Sequence, residues 1–115
     1  MEYSVKLTPH AIVQIQETIA YISKVLLVPE TARAWSDYLQ KEIAGLSTMP
    51  ARFSAVDEEP WRSRGYRKML VKNFCKMLVK NFVVYYYADD ETKTVWVTAA
   101  VHGRRDRLNV LKDMP

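Results

Sequence analysis

The stretch Phe82-Val83-Val84-Tyr85-Tyr86-Tyr87-Ala88-Asp89-Asp90-Glu91-Thr92-Lys93-Thr94-Val95-Trp96-Val97-Thr98-Ala99-Ala100-Val101 decides the fold. Two runs rich in β-branched and aromatic residues, Phe82 to Tyr87 and Thr94 to Val101, flank the polar cluster Asp89-Asp90-Glu91-Thr92. Runs of this kind around a polar turn predict two paired antiparallel strands. Side chains alternate between the two faces of a strand, so at least one of Tyr85, Tyr86 and Tyr87 is core. A third strand-like run, Tyr66 to Val71, lies just upstream. The sheet of the molecule is therefore built mostly from the second half of the chain.

The first half reads differently. Tyr3, Val5 and Leu7 alternate with Glu2, Ser4 and Lys6, which predicts a strand with one buried face. Thr8-Pro9 supplies a helix N-cap and a proline at the first helical position. Ile12, Ile15, Ile19, Ile22 and Leu26 recur at spacings of three and four, as do Ala32, Trp35, Leu39, Ile43 and Leu46 beyond Pro29. Two amphipathic helices with so short a connection must form an antiparallel hairpin. Residues 50–65 show no period and read as a loop. The tail, Gly103 to Pro115, carries Leu108 and Leu111 and reads as a short helix. The order β-α-α-β-β-β predicts an α+β domain, an N-terminal strand and a helical hairpin packed on a mostly antiparallel sheet of about four strands.

Composition narrows the function. In 115 residues, 49% are hydrophobic, with three glycines and five prolines, which excludes a disordered or collagen-like chain. Cys75 is the single cysteine, so no internal disulfide forms and a reducing compartment fits, the cytoplasm. No run approaches the ~20 apolar residues of a membrane span. Seventeen basic residues face thirteen acids, for a net charge of +4. Seven basic residues and no acid fall between Trp61 and Ala88: Arg62, Arg64, Arg67, Lys68, Lys72, Lys76 and Lys80. Arg104, Arg105 and Arg107 follow His102. A basic half of this kind points to an anionic partner, nucleic acid or an acidic protein segment.

One segment is duplicated. Lys68-Met69-Leu70-Val71-Lys72-Asn73-Phe74 recurs unchanged as Lys76-Met77-Leu78-Val79-Lys80-Asn81-Phe82, with Cys75 between the copies. An eight-residue insertion keeps side-chain parity, so either copy fits the strand without turning the buried face outward. The first copy joins Tyr66-Arg67 directly to the loop before it, which favours it as the strand, with residues 72–81 lengthening the hairpin tip between the second and third strands. Apolar residues in that tip favour self-association through an added strand edge.

The chemistry is selected by what is missing. No phosphate-binding glycine loop, paired-cysteine zinc pattern or serine nucleophile elbow is present. Two histidines, His10 and His102, are too few for a typical zinc site, so no metal and no cofactor is expected. His10 falls in the first turn of a helix, whereas His102 ends an apolar strand and precedes Gly103-Arg104-Arg105. RNA can be cut without a metal, because its 2′-OH supplies the nucleophile. A base takes that proton, an acid protonates the leaving 5′-oxygen, and cations stabilise the added negative charge. Glu58 or Glu59 suits the base, His102 the acid, and Arg67 with Arg104 or Arg105 the cations, since the arginine fork matches phosphate oxygens. Arg62, Arg64, Lys68, Arg105 and Arg107 are the remaining candidates for holding RNA.

The opening Tyr-Ser-Val-Lys-Leu-Thr-Pro-His-Ala, the two helices, Gly-Tyr-Arg-Lys-Met-Leu-Val-Lys-Asn-Phe, the tyrosine-rich strand and the closing His-Gly-Arg-Arg-Asp resemble the RelE/ParE superfamily of bacterial toxins. The resemblance covers nearly the whole chain and implies a single toxin domain over residues 1–115, neutralised by a cognate protein antitoxin. It implies one of two activities: ribosome-dependent cutting of messenger RNA without a metal, or inhibition of DNA gyrase without a nuclease site. By this resemblance Arg67 stands where the RNA-cutting branch keeps a strand arginine, and His102 and Arg104 where it keeps a late histidine or arginine. Glu58 and Glu59 lie in the loop that can supply an acid. Two departures oppose the nuclease: residues 108–115 lack the tyrosine that many RNA-cutting members carry, and the duplication adjoins Arg67. A toxin that only binds its antitoxin is the third expectation.

Overall fold

In the computed structural model, residues 2–25, 27, 29–71 and 82–102 are described. Strand β1 spans Ser4–Leu7, helix α1 Pro9–Ala20 and helix α2 Pro29–Ala44. Strands β2, β3 and β4 span Arg67–Val71, Phe82–Asp89 and Thr94–His102. The four strands lie in the order β1-β4-β3-β2. β1 runs parallel to β4, and the other two pairings are antiparallel. This is the α+β arrangement that the patterning predicts. Lys68 to Val71 of the first copy occupy β2, and Val71 pairs with Phe82 at the start of β3. The hairpin tip and the self-association expected of residues 72–81 lie outside the described residues, as do Leu26 and the tail helix.

Local chemistry explains the elements. Thr8 is extended and its hydroxyl accepts the Ala11 N–H at 3.2 Å, capping α1 with Pro9 at its first position. After Ala20 the helix widens into a π turn over Tyr21–Val25. In α2 the buried residues are Ala32, Trp35, Leu39 and Ile43, as its period predicts. The apolar stripe departs from expectation only at its first member: Ile22 is buried in the core and Ile15 and Ile19 pack against it, whereas Ile12 does not. Ala11 and Thr18 are buried, whereas Ile12 is 42% exposed. Small residues let the helix lie close on β4, where the Gln14 side-chain oxygen accepts the Ala100 N–H at 2.8 Å. Ile12, Ile15 and Ile19 also line an apolar cleft of about 440 Å³ shared with β1 and α2.

The sheet has two apolar faces. Met69, Val71, Phe82, Val84, Tyr86, Val95, Val97 and Ala100 join the helices in the main core, where Trp35 meets Phe82 edge-on at 4.9 Å. Val83, Tyr85 and Ala99 pack on the opposite face with Val56 and Tyr66 of the 50–66 segment. A bulge explains the change of parity in β4. Tyr85 pairs with Ala99 but Tyr86 pairs with Val97, leaving Thr98 as the extra residue. Val95 and Val97 therefore face the helices, while Ala99 and Val101 face the other way.

Candidate functional site

The face opposite the helices carries Lys68, and the turn beside it carries Arg62 and Arg64. Lys68 pairs with Tyr85 across β2 and β3, on that face. A compact turn over residues 57–65 lies beside it. Backbone bonds from Arg62 N–H to Glu58 O (2.9 Å) and from Arg64 N–H to Pro60 O (3.1 Å) close this turn. Gly65, at φ 87°, turns the chain into β2, a backbone angle that glycine adopts without steric cost. The turn presents Trp61, half-buried against Val56, Tyr66 and Tyr85, with Tyr87 half-buried in the same cluster. The Tyr66 and Tyr87 rings lie 5.2 Å apart, and burial pushes the Tyr66 phenol up. Asp57 reaches both Arg62 (Nη1 to Oδ1, 3.9 Å) and Lys68 (Nζ to Oδ2, 3.6 Å).

The acids of this turn differ in what they hold. The Glu59 carboxylate accepts the Ser63 N–H at 2.8 Å and the Ser63 hydroxyl at 2.9 Å. Those bonds hold its carboxyl below the usual carboxylate range, with Arg62 acting in the same direction. Glu59 thus braces the turn. Glu58 is half-buried and its carbonyl serves the turn.

Arg67 lies elsewhere. It shares strand parity with Met69 and Val71, and so belongs to the helix side of the sheet. Its Nη1 donates to the Phe53 carbonyl at 2.6 Å, and its backbone bridges Ala55. Tyr86, its partner on β3, donates its buried hydroxyl to Pro50 O at 2.5 Å, and Phe53 meets the Tyr86 ring edge-on. Together these contacts pin the 50–55 segment to the sheet. Replacing Arg67 by methionine is therefore expected to cost about 1–2 kcal/mol of stability through the orphaned Phe53 carbonyl. A lower urea midpoint with an unchanged slope checks it.

Burial also pushes the Tyr86 phenol up to about 12, although Arg67 and Arg52 pull it down. The folded state then binds the proton more tightly than the unfolded chain, whose tyrosine titrates near 10.0. Stability from this source is complete below pH 10 and falls as pH rises toward 12, by on the order of 2 kcal/mol. Urea titrations at pH 9 and pH 11.5 should show this loss, and the Tyr86→Phe protein should lose less between the two. Tyr66 shifts in the same direction and retains part of the limb.

His102 pairs with Phe82, whereas Arg67 pairs with Tyr86. Four residues along β3 and two strand spacings across the sheet separate their backbones, a diagonal of roughly 16 Å. Arg62 and Lys68 are thus brought together about Asp57, and Glu58 and Arg64 share their turn. Arg67 and His102 are not brought together. Arg104, Arg105 and Arg107 lie outside the described residues. Among the described residues, no three His, Cys, Asp or Glu side chains cluster as a metal site would need, and no helix is long and apolar enough to cross a membrane. The basic-residue count missed Trp61. The signal was the interleaving of Trp61 and Tyr66 with Arg62, Arg64 and Lys68, a pattern common to single-strand nucleic-acid surfaces.

Residues 5–107 match the family described as the ParE toxin of the type II toxin-antitoxin system, parDE. The chain belongs to this family of toxins. Its fold agrees with that assignment. The toxin is similar to a free-state E. coli RelE in which two arginines are replaced by alanine, at 15% identity and a TM-score of 0.60, over 99% of this chain and 95% of that one. It is also similar to a chain of the toxin–antitoxin complex RelBE2 from Mycobacterium tuberculosis, at 21% identity and a TM-score of 0.56, over 89% of this chain and 99% of that one. No curated protein matches the toxin's sequence.

Proposed function

We propose that this toxin is a ribosome-dependent endoribonuclease that cuts messenger RNA without a metal and so stops translation in the cytoplasm. The observation that carries the reading is the placement of Arg62 and Lys68, with Arg64 in the same turn, beside Trp61 and Tyr87 on the sheet face opposite α1 and α2. Such a surface suits single-stranded RNA, with cations for phosphates and rings for bases. In the cut, the 2′-oxygen bonds to phosphorus as Glu58 takes its proton. The bond to the 5′-oxygen breaks, and His102 gives that oxygen a proton. Products are a 2′,3′-cyclic phosphate and a 5′-hydroxyl. Arg104 neutralises the added charge on phosphorus, and Arg105 and Arg107 extend the RNA track. Arg67 acts as a positioning residue, through its bond to Phe53 O.

The partner is a cognate protein antitoxin. An acidic segment that orders on binding would cover the cationic face and neutralise the toxin.

A second reading is gyrase inhibition without catalysis. The observation that favours it is the dispersal of candidate groups: Arg67 engaged by Phe53, Glu59 by Ser63, and His102 across the sheet diagonal from Arg67. Primer extension on a reporter messenger RNA in a translating extract separates the two. New cuts within codons that vanish without ribosomes support the nuclease. An intact message, with folded protein and supercoiling by gyrase blocked, supports the second reading.

A further inference from the structure

Asp57 is the unusual member of the cationic face. It is a carboxylate with 72% of its side chain exposed, yet each of its oxygens faces a different cation. Oδ1 lies 3.9 Å from Arg62 Nη1, and Oδ2 lies 3.6 Å from Lys68 Nζ. Arg62 also donates to the Val56 carbonyl at 3.5 Å, and Lys68 is anchored in β2. The cations are therefore set by the backbone, and the carboxylate is the loose member. Both contacts are longer than a charge-assisted hydrogen bond, and the pairs are screened by water, so exchange is cheap. A phosphodiester presents the same two-oxygen edge as a carboxylate. Trp61, next in sequence to Arg62, lies half-buried on the Tyr66 and Tyr85 cluster.

We propose that Arg62 and Lys68 form a binding subsite for one phosphate of single-stranded RNA, that Asp57 stands in for this phosphate in the free toxin and swings away on binding, and that the adjoining base stacks on Trp61. This rests on the ribonuclease reading above and adds to it a nucleotide subsite with a built-in competitor. The charge of the surroundings selects the occupant: the segment from Trp61 to Ala88 contains no acid, and of the turn's acids Glu59 is held by Ser63, whereas Asp57 is the one in ion-pair contact with Arg62 and Lys68 that the incoming phosphate must displace. Removing the competitor should therefore strengthen binding, the reverse of what loss of a structural ion pair would do.

The test uses a fluorescein-labelled twelve-nucleotide RNA with 2′-O-methyl riboses, which binds but cannot be cut. Affinity is read by anisotropy across a salt series, with circular dichroism confirming each fold. Asp57→Asn should bind about two- to fivefold more tightly than the unaltered toxin. Asp37→Asn, an exposed acid on α2, carries the same charge change and should bind as the unaltered toxin does. Arg62→Gln and Lys68→Gln should each weaken binding and lower the salt slope by about 0.7. Trp61→Leu should weaken binding at least about fivefold and leave the slope unchanged, because stacking releases no counterions. Equal tightening by Asp57→Asn and Asp37→Asn would overturn the competitor role, as would no tightening by either. If the unaltered toxin cuts messages in extract and none of these variants shifts RNA binding, the subsite is wrong and the ribonuclease reading stands. If the toxin neither cuts nor binds RNA, both fall, and Asp57→Asn tightening on an acidic peptide alone would assign the cation pair to a protein partner.

Discussion

Replacing Trp35 by alanine should remove about 3–5 kcal/mol of the toxin's stability. Trp35 is 1% exposed, sits at the centre of α2's buried stripe, and meets Phe82 edge-on at 4.9 Å. Phe82 is the first residue of β3 and pairs with both Val71 and His102. The indole thus ties α2 to three strands at one end of the sheet. Truncating a buried tryptophan in a packed core costs about 3–5 kcal/mol, from lost transfer energy and the cavity left behind. Small domains have about 5–15 kcal/mol in total. Thermal and urea unfolding followed by far-UV circular dichroism will show the loss. Trp35→Phe, which keeps a ring against Phe82, should recover more than half of it. An unfolding free energy for Trp35→Ala within about 0.5 kcal/mol of the unaltered protein would mean that α2 is not held by this contact.

Trp35 also shows what the sequence makes legible. Its neighbours Ala32, Leu39 and Ile43 repeat at helical spacing, and the structure buries all of them. The strand pattern from Phe82 to Val101 likewise places both strands and the turn. Periodicity succeeds there because burial on one face is set by residue type. In the first helix it holds for Ile15, Ile19 and Ile22 and fails at one position, where it offered Ile12 to the core and the structure used Ala11 and Thr18. Hydrophobicity does not report the small size that lets a helix lie close on a sheet. The bulge at Thr98 was also invisible, because Val95, Val97, Ala99 and Val101 read as one continuous face until the extra residue divides them.

The site was legible in composition and not in geometry. Counting charges found Arg62, Arg64 and Lys68 beside Arg67. Strand parity then separates Arg67 from Lys68, sending one to each side of the sheet. The loop contact that engages Arg67 spans fourteen residues to Phe53, in a segment without periodic pattern. Only the folded chain reveals that this arginine supports the 50–55 segment.

The largest functional effect expected follows from that division of labour. His102→Ala should lower message cutting in a translating extract by about 10²–10⁴-fold, the span typical of a lost general acid. His102 ends β4, where β1 no longer runs alongside: β1 pairs only with Thr94 to Val97. For a purely chemical role, the thermal midpoint and antitoxin affinity should hold. His102→Gln keeps a polar group of similar length but no titratable proton, and should fare no better than alanine. The pH dependence of the rate supplies the readout that a structural role would not move. The unaltered toxin and either variant should therefore differ in the shape of their pH–rate profiles and not only in rate. Arg67→Met should give the complementary pattern, with a lowered urea midpoint and, at temperatures where the protein stays folded, cutting within about tenfold of the unaltered toxin. If Arg67→Met abolishes cutting at full stability while His102→Ala cuts normally, the chemistry belongs to Arg67 and not to His102.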